Sequence, residues 1–240
     1  MVMSKVDAFR KLFASPLEKD EVNLMYLGYS GVIVRTSRRV IIIDPADLLK
    51  DDEVKTLKGV DLLLFTHSHW DHYKSDVTLN IFKATKTPIL AEPMVANDLK
   101  GKVPADKLIA ATPGKAYTFN EISVNTVQGI HRGPINLYQI KIGELSMFHA
   151  GDSGYVQVKD YPSDFAFLPT GSPSPTASPE YALKMAMELK PSVAVAIHGS
   201  ADQSKEFEAK MKEKMPKTSV IIAEPYATKT VTRTNPVNEF

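Results

Sequence analysis

Apolar positions along the chain fall mainly in short runs closed by glycine, proline or polar clusters, the pattern of a strand-rich protein. From Glu21 onward, Asn23–Leu27, Gly31–Arg35 and Val40–Ile43 are β-branched or apolar runs divided by Gly28, Gly31 and the polar Ser37-Arg38-Arg39, which predicts an antiparallel meander. Val60–Phe65 (VDLLLF) shows no alternation and predicts a strand covered on both faces. Further strands are predicted at Pro88–Ala91, Leu108–Ala111, Ala116–Phe119, Ser123–Val127, Leu137–Ile142, Leu145–His149, Phe165–Leu168, Val193–Ile197 and Ser219–Ala223.

Helical periodicity is rarer. Val2, Val6, Phe9 and Phe13 recur at helical spacing over residues 1–15, an amphipathic helix packed on the body of the protein or, alternatively, a dimer contact within a homo-oligomer. Ser178-Pro179-Glu180 combines an N-cap serine with proline at the first helical position. The helix it opens carries Tyr181, Ala182, Met185, Ala186 and Leu189 on one face and stops before Pro191. Asp202 to Lys214 reads as another helix. Pro169 to Ser178 (PTGSPSPTAS), set between a strand and a capped helix, is a surface loop rather than a domain boundary. The expectation is a single mixed α/β domain over residues 1–240.

Composition narrows the chemistry. Of 240 residues none is cysteine, which removes disulfides, thiolate metal sites, iron–sulfur clusters and cysteine nucleophiles. The 29 Lys+Arg against 28 Asp+Glu suggest no polyanion-binding surface, so a nucleic-acid partner is not expected. No apolar run approaches a membrane span, and charges at Lys5, Asp7, Arg10 and Lys11 break up any signal-peptide core. A cytoplasmic protein with a small-molecule substrate and no membrane partner is expected.

Thr66 to His72 is almost entirely polar and follows the buried Val60–Phe65 run, so a loop dense in ligands ends a buried strand. It holds His67, His69, Asp71 and His72, half of the six histidines plus one carboxylate. Neutral imidazole and carboxylate are nitrogen and oxygen donors for zinc and related divalent metals. His67 and His69, at i and i+2, project on one side of an extended segment and can hold one ion between them. Asp71 and His72 can turn toward a second. Four donors do not complete two sites, so His131, His149, His198 and aspartates at strand ends are the remaining candidates.

These residues resemble the metallo-β-lactamase superfamily. His67-x-His69-x-Asp71-His72 matches its signature, followed by His131 in Gly129-Ile130-His131, Asp152 in His149-Ala150-Gly151-Asp152-Ser153-Gly154, and His198 before Gly199. Asp44-Pro45 and Gly28-Tyr29-Ser30-Gly31-Val32 upstream also match, so the likeness spans roughly residues 22–225. It is similar in particular to the small metal-dependent hydrolases and L-ascorbate-6-phosphate lactonase relatives. The resemblance implies a four-layer αββα sandwich of two mixed β-sheets flanked by helices. It also implies two divalent ions, Zn2+ first with Mn2+ or Fe2+ as alternatives: His67, His69 and His131 on one, Asp71, His72 and His198 on the other, and Asp152 between them.

The implied reaction is attack on an ester, lactone, thioester or phosphoester by a hydroxide shared between the ions and oriented by Asp71. A phosphodiesterase or nuclease, and a non-catalytic metal-binding or sensing protein, are the alternatives. Asp44 is expected to support a ligand histidine and His149 to support the site or touch substrate. Tyr29 stands where many small relatives have histidine, and Arg132 flanks His131. Tyr73, Lys74, Asn136, Ser153 and Ser200 are weaker candidates for substrate contact.

Overall fold

The run from Glu21 folds as a meander because its β-branched segments are separated by residues suited to tight turns. Glu21–Gly28 (β1), Gly31–Thr36 (β2) and Val40–Ile43 (β3) pair antiparallel in order. The computed structural model describes residues 4–233, whose contacts gather into two units, residues 4–111 with 224–231 and residues 112–223 with 232–233.

In the first unit β3 is followed by three parallel strands, Val60–Phe65 (β4), Ile89–Ala91 (β5) and Leu108–Ala110 (β6). Thr228–Thr232, the last strand of the chain (β14), joins the far edge to give the order β14-β1-β2-β3-β4-β5-β6. Leu62, Leu63, Leu64 and Phe65 are all buried, as the absence of alternation in that run required. Parallel neighbours need crossover connections, supplied by Asp51–Val54 (α2), Ser75–Thr85 (α3) and Pro93–Leu99 (α4), with a single 3-10 turn at Ala105–Lys107 before β6.

The N-terminal helix runs Lys5–Ala14 (α1), capped by the Ser4 side chain on Asp7 N. Its buried face is Ala8, Phe9 and Leu12, which join the core cluster of this unit. Val6 and Phe13 are half-buried beside it, and Val2 lies outside the described residues. Arg35 of β2 donates to the carbonyls of Leu12 at 3.0 Å and Ser15 at 2.7 Å, placing a cation at the helix C-terminus.

The second unit repeats the same order of operations. Ala116–Phe119 (β7), Ile122–Gln128 (β8), Asn136–Ile142 (β9) and Leu145–His149 (β10) pair antiparallel, and Phe165–Pro169 (β11), Val193–Ile197 (β12) and Ser219–Ile222 (β13) continue in parallel. The sheet order is β13-β12-β11-β10-β9-β8-β7. Pro179–Leu189 (α5), with Ser178 accepting from Tyr181 N, packs on β11 and on Ala201–Lys214 (α6). Two mixed sheets with helices therefore form, as expected. No helix of the described residues is long and apolar enough to cross a membrane.

Besides the short α2 and the 3-10 turn, three elements were not legible in the sequence. Helix α3 (SDVTLNIFKAT) carries β-branched residues and no side-chain cap at Lys74; burial of Thr78, Ile81 and Phe82 holds it instead. Helix α4 starts at Glu92, whose carboxylate accepts from Met94 N at 2.9 Å, an acidic cap outside the usual Ser/Thr/Asp/Asn set. Strand β14 is short and polar, and only pairing at the sheet edge makes it a strand.

Two predictions follow from this packing. Phe9→Ala removes a fully buried ring from the first unit and should lower unfolding free energy by about 3–5 kcal/mol, read from the urea midpoint at unchanged slope. Asp98 is held down at about 2 chiefly by the hydroxyl of Tyr73, which donates to its Oδ2 at 2.5 Å, then by Ser75 and Lys102. A depressed carboxylate stabilises the fold above its unfolded value and loses that contribution as pH falls from about 4 toward 2. Tyr73→Phe should raise the Asp98 midpoint toward the ordinary carboxylate range and flatten the loss of stability over that window, read by carboxyl NMR titration and acid unfolding.

Candidate metal centre

In the first unit the parallel register of β3 and β4 brings Asp44 and Thr66 to the same carboxyl edge, since Ile43 pairs with Leu64 and Asp44 N donates to Leu64 O at 3.0 Å. Asp44 is fully buried and sits in the left-handed region at φ +46°. Its carbonyl also approaches so close to Gly31 that a Cβ there would lie 2.8 Å from it, so a side chain at 31 would push the two strands apart.

A buried carboxylate is costly without partners. Asp44 accepts from Thr66 N at 2.8 Å, from the Thr66 hydroxyl at 2.5 Å and from His72 Nδ1 at 2.8 Å. Because the single Thr66 hydroxyl proton goes to Asp44, Thr66 Oγ1 faces His67 Nδ1 at 3.1 Å as an acceptor. Both His67 and His72 then carry their proton on Nδ1, which leaves the Nε2 lone pairs for an ion. The loop closes on itself through His72 N and Tyr73 N to His69 O, at 3.0 and 2.9 Å. It stacks the His67 ring 4.0 Å from that of His72 and 4.5 Å from that of His69, centroid to centroid. Asp71 is buried, with Oδ2 3.9 Å from His72 Nε2.

In the second unit His131, Asp152 and His198 come together from three loops. His131 Nε2 lies 3.3 Å and His198 Nε2 3.8 Å from Asp152 Oδ2. The main-chain carbonyl of Asp152 accepts from Ser174 at 2.6 Å and Thr176 at 3.2 Å, and Thr176 Oγ1 in turn stands 3.0 Å from His131 Nδ1. His198 Nδ1 points at Gly171 O at 3.4 Å. Again Nδ1 is the protonated nitrogen and Nε2 the donor. His198 ends β12 at φ +43°, and Gly199 after it passes Thr170 where a Cβ would lie 1.9 Å from the hydroxyl. Imidazoles held at Nδ1 beside buried carboxylates fit a divalent ion. His67, His69, Asp71 and His72 of the first unit and His131, Asp152 and His198 of the second are all candidate metal donors.

His149 has a different place. Its Nδ1 accepts from Gly151 N at 3.1 Å, so its proton is on Nε2 and its ring braces the turn into Asp152. Ser153 is spent on backbone, its Oγ accepting from Ile130 N at 2.8 Å and standing 2.8 Å from Gly154 O and 3.2 Å from Ile130 O as acceptors of its proton. Ser200 caps α6. Tyr29 adopts φ +49° in the β1–β2 turn and meets Trp70 edge-on at 5.4 Å, while Arg132 is exposed. Thr66, Ser174 and Thr176 escaped the sequence reading. Thr66 precedes the first ligand, but nothing in PTGSPSPTAS marks Thr176 as the partner of a histidine 45 residues earlier.

A sequence profile of the beta-lactamase superfamily domain matches residues 23–198. The chain belongs to the metallo-β-lactamase superfamily. It is 27% identical to a metal-dependent hydrolase of Aeropyrum pernix, covering 84% of this chain and 94% of that one, and 29% identical to one of Thermus thermophilus, covering 74% and 83%. A metallo hydrolase of Ignicoccus hospitalis superposes with TM-score 0.74 at 25% identity over 88% of this chain and 98% of its own. The metallo-beta-lactamase fold protein YhfI of Bacillus subtilis shares the fold, with TM-score 0.66 at 15% identity over 88% of this chain and 100% of its own.

Removing the carboxylate that orders two of the imidazoles should weaken metal binding without touching a donor. Asp44→Ala is expected to lower metal affinity by about 10–100-fold, and Thr176→Val to act in the same direction through His131, both read by competition with a chromogenic chelator.

Proposed function

We propose that this chain is a hydrolase in which both units form one catalytic domain and hold two divalent cations, zinc in preference to manganese or iron. His67, His69 and His131 would hold one ion, Asp71, His72 and His198 the other, with Asp152 touching both. One observation carries this reading. The donors gather within each unit: His67, His69, Asp71 and His72 share one short loop of the first, and in the second His131 Nε2 and His198 Nε2, one from each proposed set, lie 3.3 and 3.8 Å from Asp152 Oδ2. A carboxylate between two like charges would offset their repulsion. The all-nitrogen-and-oxygen donor set favours zinc.

When bound, such ions lower the pKa of water toward about 7 and stabilise the anion formed on the substrate. The protein's own part is positional. Four histidines keep Nδ1–H engaged by Thr66, Asp44, Thr176 and Gly171, so none of those protons is available to the reaction. Asp71, a buried carboxylate of the same loop, would orient the attacking water and hold its proton on Oδ2. The substrate is an ester, lactone, thioester or phosphoester of a small molecule.

The test is metal stoichiometry and turnover together. Metal-stripped protein reloaded with Zn2+ should retain two equivalents by elemental analysis and cleave at least one member of a lactone, thioester, carboxylic ester and phosphodiester panel. Chelation should abolish the activity and zinc restore it. His69→Ala should reduce kcat/KM by more than the roughly 10–100-fold typical of losing a ligand's outer partner. Tight retention of two ions with turnover of no panel member would count against a hydrolase and for a non-catalytic metal-binding protein.

A further inference from the structure

Three of the six large exposed apolar side chains among the described residues lie on or beside segments that carry candidate metal donors. Among the described residues the three most exposed large ones are Trp70 at 63%, Ile130 at 55% and Met94 at 54%. Trp70 lies inside the ligand loop between His69 and Asp71, and Ile130 immediately precedes His131. Met94 receives the Ser68 hydroxyl at 4.0 Å on its sulfur, from the residue between His67 and His69. Trp70 and Ile130 thus adjoin candidate donors in the chain, and Met94 contacts the loop that carries four of them.

The Trp70 ring is also positioned by design of the chain around it. Tyr29 meets it in a T-shaped pair at 5.4 Å with the planes 78° apart, and Trp70 still stays mostly exposed. Tyr29 holds this place at φ +49°, a conformation rare for a bulky residue, and the Tyr26 hydroxyl fastens the turn by donating to Tyr29 O at 2.9 Å. Ser68, Trp70, Tyr29 and Met94 carry no charge. An exposed, uncharged aromatic and thioether cluster beside donors recognises an apolar group of moderate size.

We infer that Trp70, Tyr29 and Met94 form a platform that receives an apolar substituent, a medium-length alkyl chain or an aryl ring, attached next to the bond that is cleaved. This rests on the hydrolase reading for the word "cleaved" and deepens it by naming the substrate class. The platform itself consists of residues of this chain and can be examined without metal.

Trp70 is the one tryptophan of the protein, so its fluorescence reports on the platform alone. Metal-free protein titrated with sodium octanoate or benzoate should give a saturable blue shift of the emission, and acetate none. Comparable shifts with octanoate and benzoate assign both groups to the platform; a shift with one alone narrows the class to alkyl or aryl. Tyr29→Ala, which keeps the reporter, should weaken the octanoate response at least threefold. With zinc-loaded protein and an acetyl-to-octanoyl ester series, kcat/KM should climb by up to about fourfold for each methylene covered. Trp70→Ala should reduce the octanoyl-to-acetyl ratio at least tenfold, and Met187→Ala, exposed on α5, should leave that ratio alone. Equal emission changes with acetate and octanoate, or none with any acid, would overturn the inference. So would turnover whose ratio is flat or indifferent to Trp70→Ala, and that result would leave the hydrolase intact. A saturable octanoate response with no turnover of any ester would instead retain the platform and remove the hydrolase.

Discussion

The ordering of the ligand loop depends on one buried carboxylate. Asp44 has no access to solvent, so it must spend its oxygens on donors within the fold, and it finds three: Thr66 N, the Thr66 hydroxyl and His72 Nδ1. Each bond has a consequence beyond its own energy. The amide fixes where β4 ends, the hydroxyl turns Thr66 into an acceptor for His67, and the imidazole bond decides which nitrogen of His72 bears the proton. Asp44 can serve in this way only because it leaves β3 in a left-handed conformation and because position 31 is glycine. The tautomers of two donors thus descend from the backbone path of one strand end.

The second unit reaches the same chemical end by other means. There a main-chain carbonyl, that of Asp152, gathers Ser174 and Thr176, and Thr176 orients His131. Both sheets change from antiparallel hairpins to parallel crossovers, and in both the functional side chains sit beyond the carboxyl ends of strands: Asp44 and His67 after β3 and β4, Asp152 and His198 after β10 and β12. Loops at those ends are bound by the strands on one side only, which leaves their side chains available for ligands. Strain collects there as well. Tyr29, Asp44 and His198 are non-glycine residues at positive φ, and each stands at or beside the candidate centre. Such conformations cost about 1–3 kcal/mol each and persist where the surrounding structure leaves no alternative.

Much of this was legible beforehand. The meander, the unalternating Val60–Phe65 strand and the Ser178-Pro179 helix start follow from local pattern, and all formed. The candidate donors stood out because three histidines crowd one short polar loop and the others follow at the intervals of the family signature. Helix α3 was hidden because its residues favour a helix only once Ile81 and Phe82 have a core to enter. The loop holding Ser174 and Thr176 read as a plain connector, since its service to Asp152 and His131 is a contact across more than twenty residues.

The sequence by itself determined which atoms could bind a metal: six imidazoles, no thiolate, and aspartates at the ends of predictable strands. Donor type is a property of the residue, and spacing survives without coordinates. Only the tertiary structure decided how those atoms are presented. Which imidazole nitrogen keeps its proton, that His149 braces a turn through Nδ1, and that Ser153 ties down a loop all depend on partners distant in the chain. A proton's position is set by the nearest acceptor, and that acceptor exists only once the strands are in register.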